Sequence, residues 1–232
     1  MEHEIERFQR DGYACLPQVV DADQCDALAD ALQILTEKEA DPYAAGARDL
    51  LRRCEAVRRV AQSLPVRECV ATALGRPARC VKALWFDKRP AANWQVAWHQ
   101  DLMIAVAERH EAPGFSAWSV KAGVPHVKPP VEVLAEMVAV RIHLDPCDHD
   151  AGPLRVLPGT HRDGVLDEEQ IRMQIESIAS VDCLASRGGV VLMRPLLLHS
   201  SQRTIAPVRR RVLHLEFSPQ PLLVPLAWYD WA

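Results

Sequence analysis

The hydrophobic period of the chain changes at Gly75, and no other feature restricts its fold as much. Before that point apolar residues recur at helical spacing. Asp21 can cap a helix with Gln24 three residues on, which places Cys25, Leu28, Ala29, Leu32 and Leu35 on one stripe. Leu50, Leu51, Cys54, Val57, Val60 and Ala61 suggest a second helix. A third is predicted to start at Pro65 and stop at Gly75. Beyond Gly75 come short runs of strand-forming residues punctuated by Pro, Gly and Asp, at 79–87, 94–98, 137–144, 189–193 and 210–217. One more helical piece runs from Asp167 to about Ile178. Helices first and short strands afterwards predict an α+β, mainly β chain, with antiparallel sheet and helices packed on one side. The 232 residues suit a single domain over 1–232, with a mostly helical flank at 1–78 and a β core at 79–232.

Two strands show which way their faces look. In 210–217, Arg210, Val212, His214 and Glu216 alternate with Arg211, Leu213, Leu215 and Phe217. The second set can pack on helices, which turns Arg210 and His214 to the opposite face. In 137–144, Ala139, Arg141 and His143 alternate with Val138, Val140, Ile142 and Leu144. One such strand is an ordinary half-solvated sheet. Several closed into a roll would line a polar cavity.

Charge and cysteine usage narrow the class. With 27 Lys and Arg against 31 Asp and Glu, the net charge of −4 leaves no footprint for nucleic acid or an anionic membrane. No apolar run is long enough for a membrane span, and the acidic start Met1-Glu2-His3-Glu4 does not resemble a signal peptide. The seven cysteines are scattered and include no C-x-x-C pair, which suits reduced thiols and a cytoplasmic location.

Trp98-His99-Gln100-Asp101 carries His-x-Asp at the end of an apolar strand. Two residues apart on an extended chain, both side chains point the same way and can grip one ion. His199, closing the apolar run that starts at Val190, can supply a third ligand. Two histidines and one carboxylate on one face of an octahedral ion leave three positions open, as iron(II) oxygenases require. A closed zinc site would want four protein ligands. His-x-Asp alone is a weak signal, and His110, His126, His149 and His161 read equally well as loop residues.

The surroundings make it specific. Phe86-Asp87-Lys88-Arg89-Pro90 comes first, then Trp98-His99-Gln100-Asp101. Leu144-Asp145 follows, then Gly152-Pro153-Leu154 through Pro158-Gly159-Thr160-His161, and last His199-Ser200-Ser201 with Arg210 eleven residues after the histidine. These ordered blocks, with the opening Phe8-Gln9-Arg10-Asp11-Gly12-Tyr13, resemble the phytanoyl-CoA dioxygenase family of iron(II)/2-oxoglutarate oxygenases. The resemblance implies a double-stranded β-helix, or jelly roll, with iron(II) on His99, Asp101 and His199. It also implies a 2-oxoglutarate site on Arg210 and Ser201. A guanidinium suits the distal carboxylate of such a co-substrate, which it can bind in bidentate fashion. Ser200 stands where the family often has Gly, and nothing reads as a coenzyme A nucleotide site.

The implied activity couples oxidative decarboxylation of 2-oxoglutarate to hydroxylation of a small organic substrate, releasing succinate and CO₂. Lys88, Trp118 and Arg141 are candidate substrate contacts, with a carboxylate-bearing substrate favoured. Residues 110–130, rich in Pro and Gly and without a sustained period, are expected to form a mobile lid. Trp94 and Trp98 read as core, and Arg194 as either salt-bridged or an anion contact. The rival readings are a metal-binding jelly-roll sensor without oxygenase activity, and a zinc hydrolase with Glu216 as its base. The oligomeric state is not legible.

Overall fold

The computed structural model describes residues 2–37, 46–205 and 208–232. Its helices are α1 (Glu2–Asp11), α2 (Ala22–Glu37), α3 (Leu50–Arg53), α4 (Glu55–Ala61), α5 (Leu64–Leu74), α6 (Val131–Ala135) and α7 (Glu168–Ser177). The strands are β1 (Tyr13–Leu16), β2 (Gly46–Ala47), β3 (Arg79–Lys88), β4 (Val96–His99), β5 (Ile104–Ala105), β6 (Ser116–Lys121) and β7 (Val124–Lys128). They continue with β8 (Val138–His143), β9 (Leu154–Val156), β10 (Val181–Cys183), β11 (Val190–Met193), β12 (His199–Ser201) and β13 (Arg210–Ser218).

Local chemistry sets the helix ends. Asp21 accepts a hydrogen bond from the Gln24 amide at 2.7 Å, while the Gln24 side chain accepts from the Asp21 amide at 3.3 Å. Asp167 and Gln170 make the same reciprocal pair in front of α7. α5 stops at Gly75, whose φ of 70° a side chain would disfavour. The single helix expected over residues 50–61 is broken in two, because Cys54 is extended at φ −134°, ψ 106°.

Two antiparallel sheets face each other, in the jelly-roll arrangement that the resemblance implies. The larger has the order β1-β11-β8-β13-β3-β2, the smaller β10-β9-β12-β4. Alternation along β8 and β13 decides what each face meets. Val138, Val140, Ile142, Leu213, Leu215 and Phe217 pack with Leu28, Leu32, Leu50, Val57, Val66 and Val70 of the helices. Ala139, Val191 and Met193 look the other way and meet Leu154, Val156 and Cys183 of the smaller sheet. The space between the sheets beside β3 and β4 stays polar, and there the functional groups collect.

The 110–130 stretch, expected as a lid without a sustained period, has regular strand structure. Most of it is a hairpin, β6 with β7, joined by β5 in a third sheet of order β5-β7-β6. Short strands interrupted by Pro125 and Gly123 and a register shift between Ser116 and Ser119 hide the period of two. Among the described residues no helix is long and apolar enough to cross a membrane.

Leu213→Ala removes a fully buried contact between β13 and the helices and should cost about 2–5 kcal/mol, read as a fall in Tm. Leu223→Ala, at a residue 85% exposed, should change stability by less than about 0.5 kcal/mol. Equal stability of the two variants would mean that this face of β13 is not core.

Candidate metal centre

His99 ends β4 and His199 begins β12, and the two are directly paired in register across the smaller sheet. Their rings stand 4.1 Å apart, centre to centre, tilted by 52°. Asp101 follows β4, its backbone amide held by the Pro195 carbonyl at 2.9 Å. Its two carboxylate oxygens lie 3.7 Å from His99 Nε2 and 3.6 Å from His199 Nε2. One donor atom from each residue falls within 4.8 Å of the others.

The backbone fixes which nitrogen each histidine offers. His99 Nδ1 lies 2.8 Å from the Ala97 carbonyl, and His199 Nδ1 2.9 Å from the Leu197 carbonyl. A carbonyl only accepts, so both Nδ1 atoms carry the proton and both Nε2 lone pairs are free for a metal. Burial pushes His199 down to about 4, so it is neutral near pH 7. Burial raises the Asp101 carboxyl, but His199, His214, Lys82 and His99 pull it down further, leaving it well below the usual range. Two imidazoles offering Nε2 and one carboxylate are the donor set that the sequence suggested, and they fit iron(II).

Across the cavity, β13 and β3 supply cations. Arg210 pairs in register with Lys88, and both are buried. Arg210 Nη1 donates to the Gly152 carbonyl and Nη2 to Ser201 Oγ at 3.4 Å. Lys88 Nζ donates to Ser201 Oγ at 2.9 Å and to the Gln202 carbonyl. Arg210 Nε is buried without a partner. Gly152 accepts from both Arg210 and Ser201 at its carbonyl and orients the two side chains. Its φ is 63°, and a Cβ there would sit 2.5 Å from the Gln202 carbonyl oxygen, so no other residue fits without displacement. Burial, then the charges of Arg210 and Arg141, push Lys88 down to about 7.

Further along the same strands runs a buried polar chain. Arg141 Nη1 donates to His214 Nδ1 at 3.1 Å, which fixes the proton of His214 on Nε2. That nitrogen lies 3.4 Å from Glu216 Oε1, and Lys82 Nζ lies 2.6 Å from the same oxygen. The triad, Arg141, Ser201, Arg210 and His214 all line one cavity of about 150 Å³, with Leu84, Phe86, Trp94, Val96 and Leu154 as its apolar wall.

The arginines beside Arg210 face away from the cavity. Arg209 makes a two-point pair with Asp87 at 2.7 and 2.8 Å, and Arg211 one with Asp145 at 2.9 and 2.6 Å. Other expectations need correcting. Trp94, read as core, lines the cavity. Trp118, read as a substrate contact, lies on the hairpin, half-buried against a separate cluster with Arg109 over its ring, because β6 pairs into the third sheet. Lys88, read as a substrate contact, is hydrogen-bonded to Ser201 and the Gln202 carbonyl beside Arg210, 5.3 Å over the Trp94 ring. Arg194 makes no salt bridge among the described residues. It donates to the Ala135 and Met137 carbonyls and to Gln9.

Comparison with known proteins follows the same lines. The family model for phytanoyl-CoA dioxygenase (PhyH) matches residues 8–212. The chain belongs to that family. No relative among curated proteins matches the chain significantly. Among solved structures, EctD from S. alaskensis with 2-oxoglutarate and 5-hydroxyectoine is 20% identical, covering 94% of this chain and 76% of EctD at a TM-score of 0.71. The epimerase SnoN of nogalamycin biosynthesis, with Fe³⁺, α-ketoglutarate and nogalamycin RO, is 17% identical over 94% of this chain and 82% of its own, at 0.69. The carbocyclase SnoK from the same biosynthesis is 14% identical over 94% and 83%, at 0.73. Iron and 2-oxoglutarate are thus held by structures of this fold, and membership of the phytanoyl-CoA dioxygenase family makes the chain an iron- and 2-oxoglutarate-dependent dioxygenase.

Replacing His99, Asp101 or His199 by Ala should weaken iron(II) binding by more than about a hundredfold while far-UV circular dichroism stays native. Calorimetric titration of iron(II) checks this. Near-native affinity in any one variant would remove that residue from the metal site.

Proposed function

We propose that the protein hydroxylates a small organic substrate, coupled to oxidative decarboxylation of 2-oxoglutarate with release of succinate and CO₂, within a single catalytic domain. The observation that carries this reading is the pairing of two anion-binding devices in one cavity. The metal triad stands on the smaller sheet, and a buried cluster of Arg210, Ser201 and Lys88 on and beside the larger. A dicarboxylate bridges such a pair.

Each residue then has a definite task. His99 and His199 give their Nε2 lone pairs, and Asp101 a carboxylate oxygen, to the metal. Bound iron supplies the coordination sites at which a keto acid and O₂ can react. Arg210, freed at Nε, turns a two-point grip on the distal carboxylate, with Ser201 Oγ and Lys88 Nζ beside it. That grip aims the keto-acid end at the triad. Leu84, Phe86, Trp94 and Val96 keep water from the remaining wall.

The rivals fit less well. A metal-binding sensor has no need of a second anion cluster opposite its metal. A zinc hydrolase would need Glu216 as a base, but Lys82 and His214 already hold that carboxylate. Halogenation is disfavoured because Asp101 occupies the position that a halide would need.

Titrating 2-oxoglutarate into the anaerobic iron(II) protein should give a metal-to-ligand charge-transfer band. Arg210→Ala should raise the concentration required about ten- to a hundredfold, while Arg209→Ala and Arg211→Ala change it by less than about threefold. Equal effects of all three would place the anion site elsewhere.

Lys88 adds a pH dependence. An anion beside it favours the ammonium form, so binding near or above pH 7 takes up a proton, and affinity falls as pH rises beyond 7. Calorimetry in buffers of different ionisation enthalpy should show that uptake in the native protein and lose it in Lys88→Met. A pH-independent affinity in the native protein would rule Lys88 out.

A further inference from the structure

We propose that Arg141 reads a carboxylate on the substrate, so that the protein acts on a molecule with an anionic end and an apolar body. The proposal rests on the iron and 2-oxoglutarate reading above and names the substrate class for that same site.

Arg141 stands in the middle of β8, 7% exposed, and lines the cavity of the triad. His214 holds its Nη1, and the guanidinium lies 5.4 Å over the centre of the Phe86 ring. Its Nε is buried and has no partner. Among the described residues no carboxylate lies within ion-pair distance of it. A buried guanidinium fixed on one edge and open on another is set up to receive a planar anion.

The charge count points the same way. Lys82 and Glu216 cancel in their ion pair. His143 is neutral, pushed down to about 3 by burial and then by Arg141 and Arg210. His214 accepts from Arg141 at Nδ1 and brings no negative charge. Cys147 stays a thiol, since burial raises it. What remains is the negative charge of Asp101 against the positive charges of Arg141, Arg210 and Lys88. Iron(II) brings two positive charges and 2-oxoglutarate two negative ones, so loading the site leaves this surplus unchanged. Asp101 offsets one cation, and a bound 2-oxoglutarate favours the ammonium form of Lys88. Positive charge thus stays in excess in a buried cavity, which is costly unless an anion arrives with the substrate.

Position separates this anion from the co-substrate. Arg210, Ser201 and Lys88 form one end of the cavity and already serve the distal carboxylate, while the near carboxylate goes to the metal. Arg141 pairs with His214, four residues along β13 from Arg210, or roughly 13 Å of strand. Leu84, Phe86, Trp94 and Val96 beside it accommodate an apolar body. The open Nε edge of a planar guanidinium matches a planar carboxylate better than a tetrahedral phosphate.

The test uses the anaerobic protein loaded with iron(II) and 2-oxoglutarate, and two isosteric probe pairs: benzoate with benzamide, and hexanoate with hexanamide. Binding is followed by the shift of the charge-transfer band and by tryptophan fluorescence, independently of turnover. Each carboxylate should bind at least about tenfold tighter than its amide. Arg141→Gln should close that gap to within about threefold and leave 2-oxoglutarate affinity within about threefold of native, and Arg141→Lys should restore part of the preference. Equal binding of acid and amide to the native protein, or no saturable response to either acid, overturns the proposal without recourse to any variant. So does an Arg141→Gln protein that loses 2-oxoglutarate as severely as Arg210→Ala, since Arg141 would then belong to the co-substrate clamp. A native protein that forms no charge-transfer band on adding 2-oxoglutarate instead refutes the reading of the site on which this proposal stands.

Discussion

Charge buried between two sheets is the constraint around which this molecule is organised. Lys82, Lys88, Arg141, Arg210, His214 and Glu216 all project from three adjacent strands of the larger sheet into its interior face. Ionised groups do not stay there without partners. Lys82, His214 and Glu216 satisfy one another. Arg210 and Lys88 converge on Ser201 and on backbone carbonyls, which accept hydrogen bonds but bring no negative charge. The opposite sheet contributes one carboxylate, Asp101. The excess of cations over anions is therefore a property of the fold, and a dicarboxylate and an anionic substrate are what would relieve it.

The outward faces of the same strands make this possible. Leu213, Leu215 and Phe217 anchor β13 to the helices, while Asp87 and Asp145 occupy the two flanking arginines. A slip of one residue would exchange Arg210 for Arg211 and bury polar groups against the helices. Register and charge placement thus enforce one another. The Gly152 turn adds a local lock, because its carbonyl can reach Arg210 and Ser201 only while no side chain separates it from Gln202.

Much of this is legible in the sequence, for physical reasons. The strict alternation in Arg210–Ser218 and Val138–His143 identifies both faces of the central strands, since each face meets a different environment. His-x-Asp followed by a distant histidine marks the triad because metal geometry imposes spacing. Capping pairs such as Asp21 with Gln24 locate helix starts. What escaped was set by tertiary contact. Trp94 reads as core because a cavity wall and a core are equally apolar. Lys88 reads as a candidate substrate contact, and only its pairing with Arg210 and its bond to Ser201 show it beside the co-substrate arginine. Three-residue strands such as Leu154–Val156 and His199–Ser201 are too short to show a period, and the hairpin at 116–128 is masked by its bulge and its prolines.

The central claim is that the cavity activates O₂ at the triad while holding 2-oxoglutarate by Arg210, and it can be tested before the substrate is known. Incubation of the iron(II) protein with 2-oxoglutarate under ¹⁸O₂, followed by mass spectrometry of the products, measures it most directly. The account predicts succinate carrying one ¹⁸O atom, formed by the native protein, lost in His199→Ala, and recovered in Arg210→Ala only when 2-oxoglutarate is raised about ten- to a hundredfold. Unlabelled succinate, or none above a protein-free control, would contradict it.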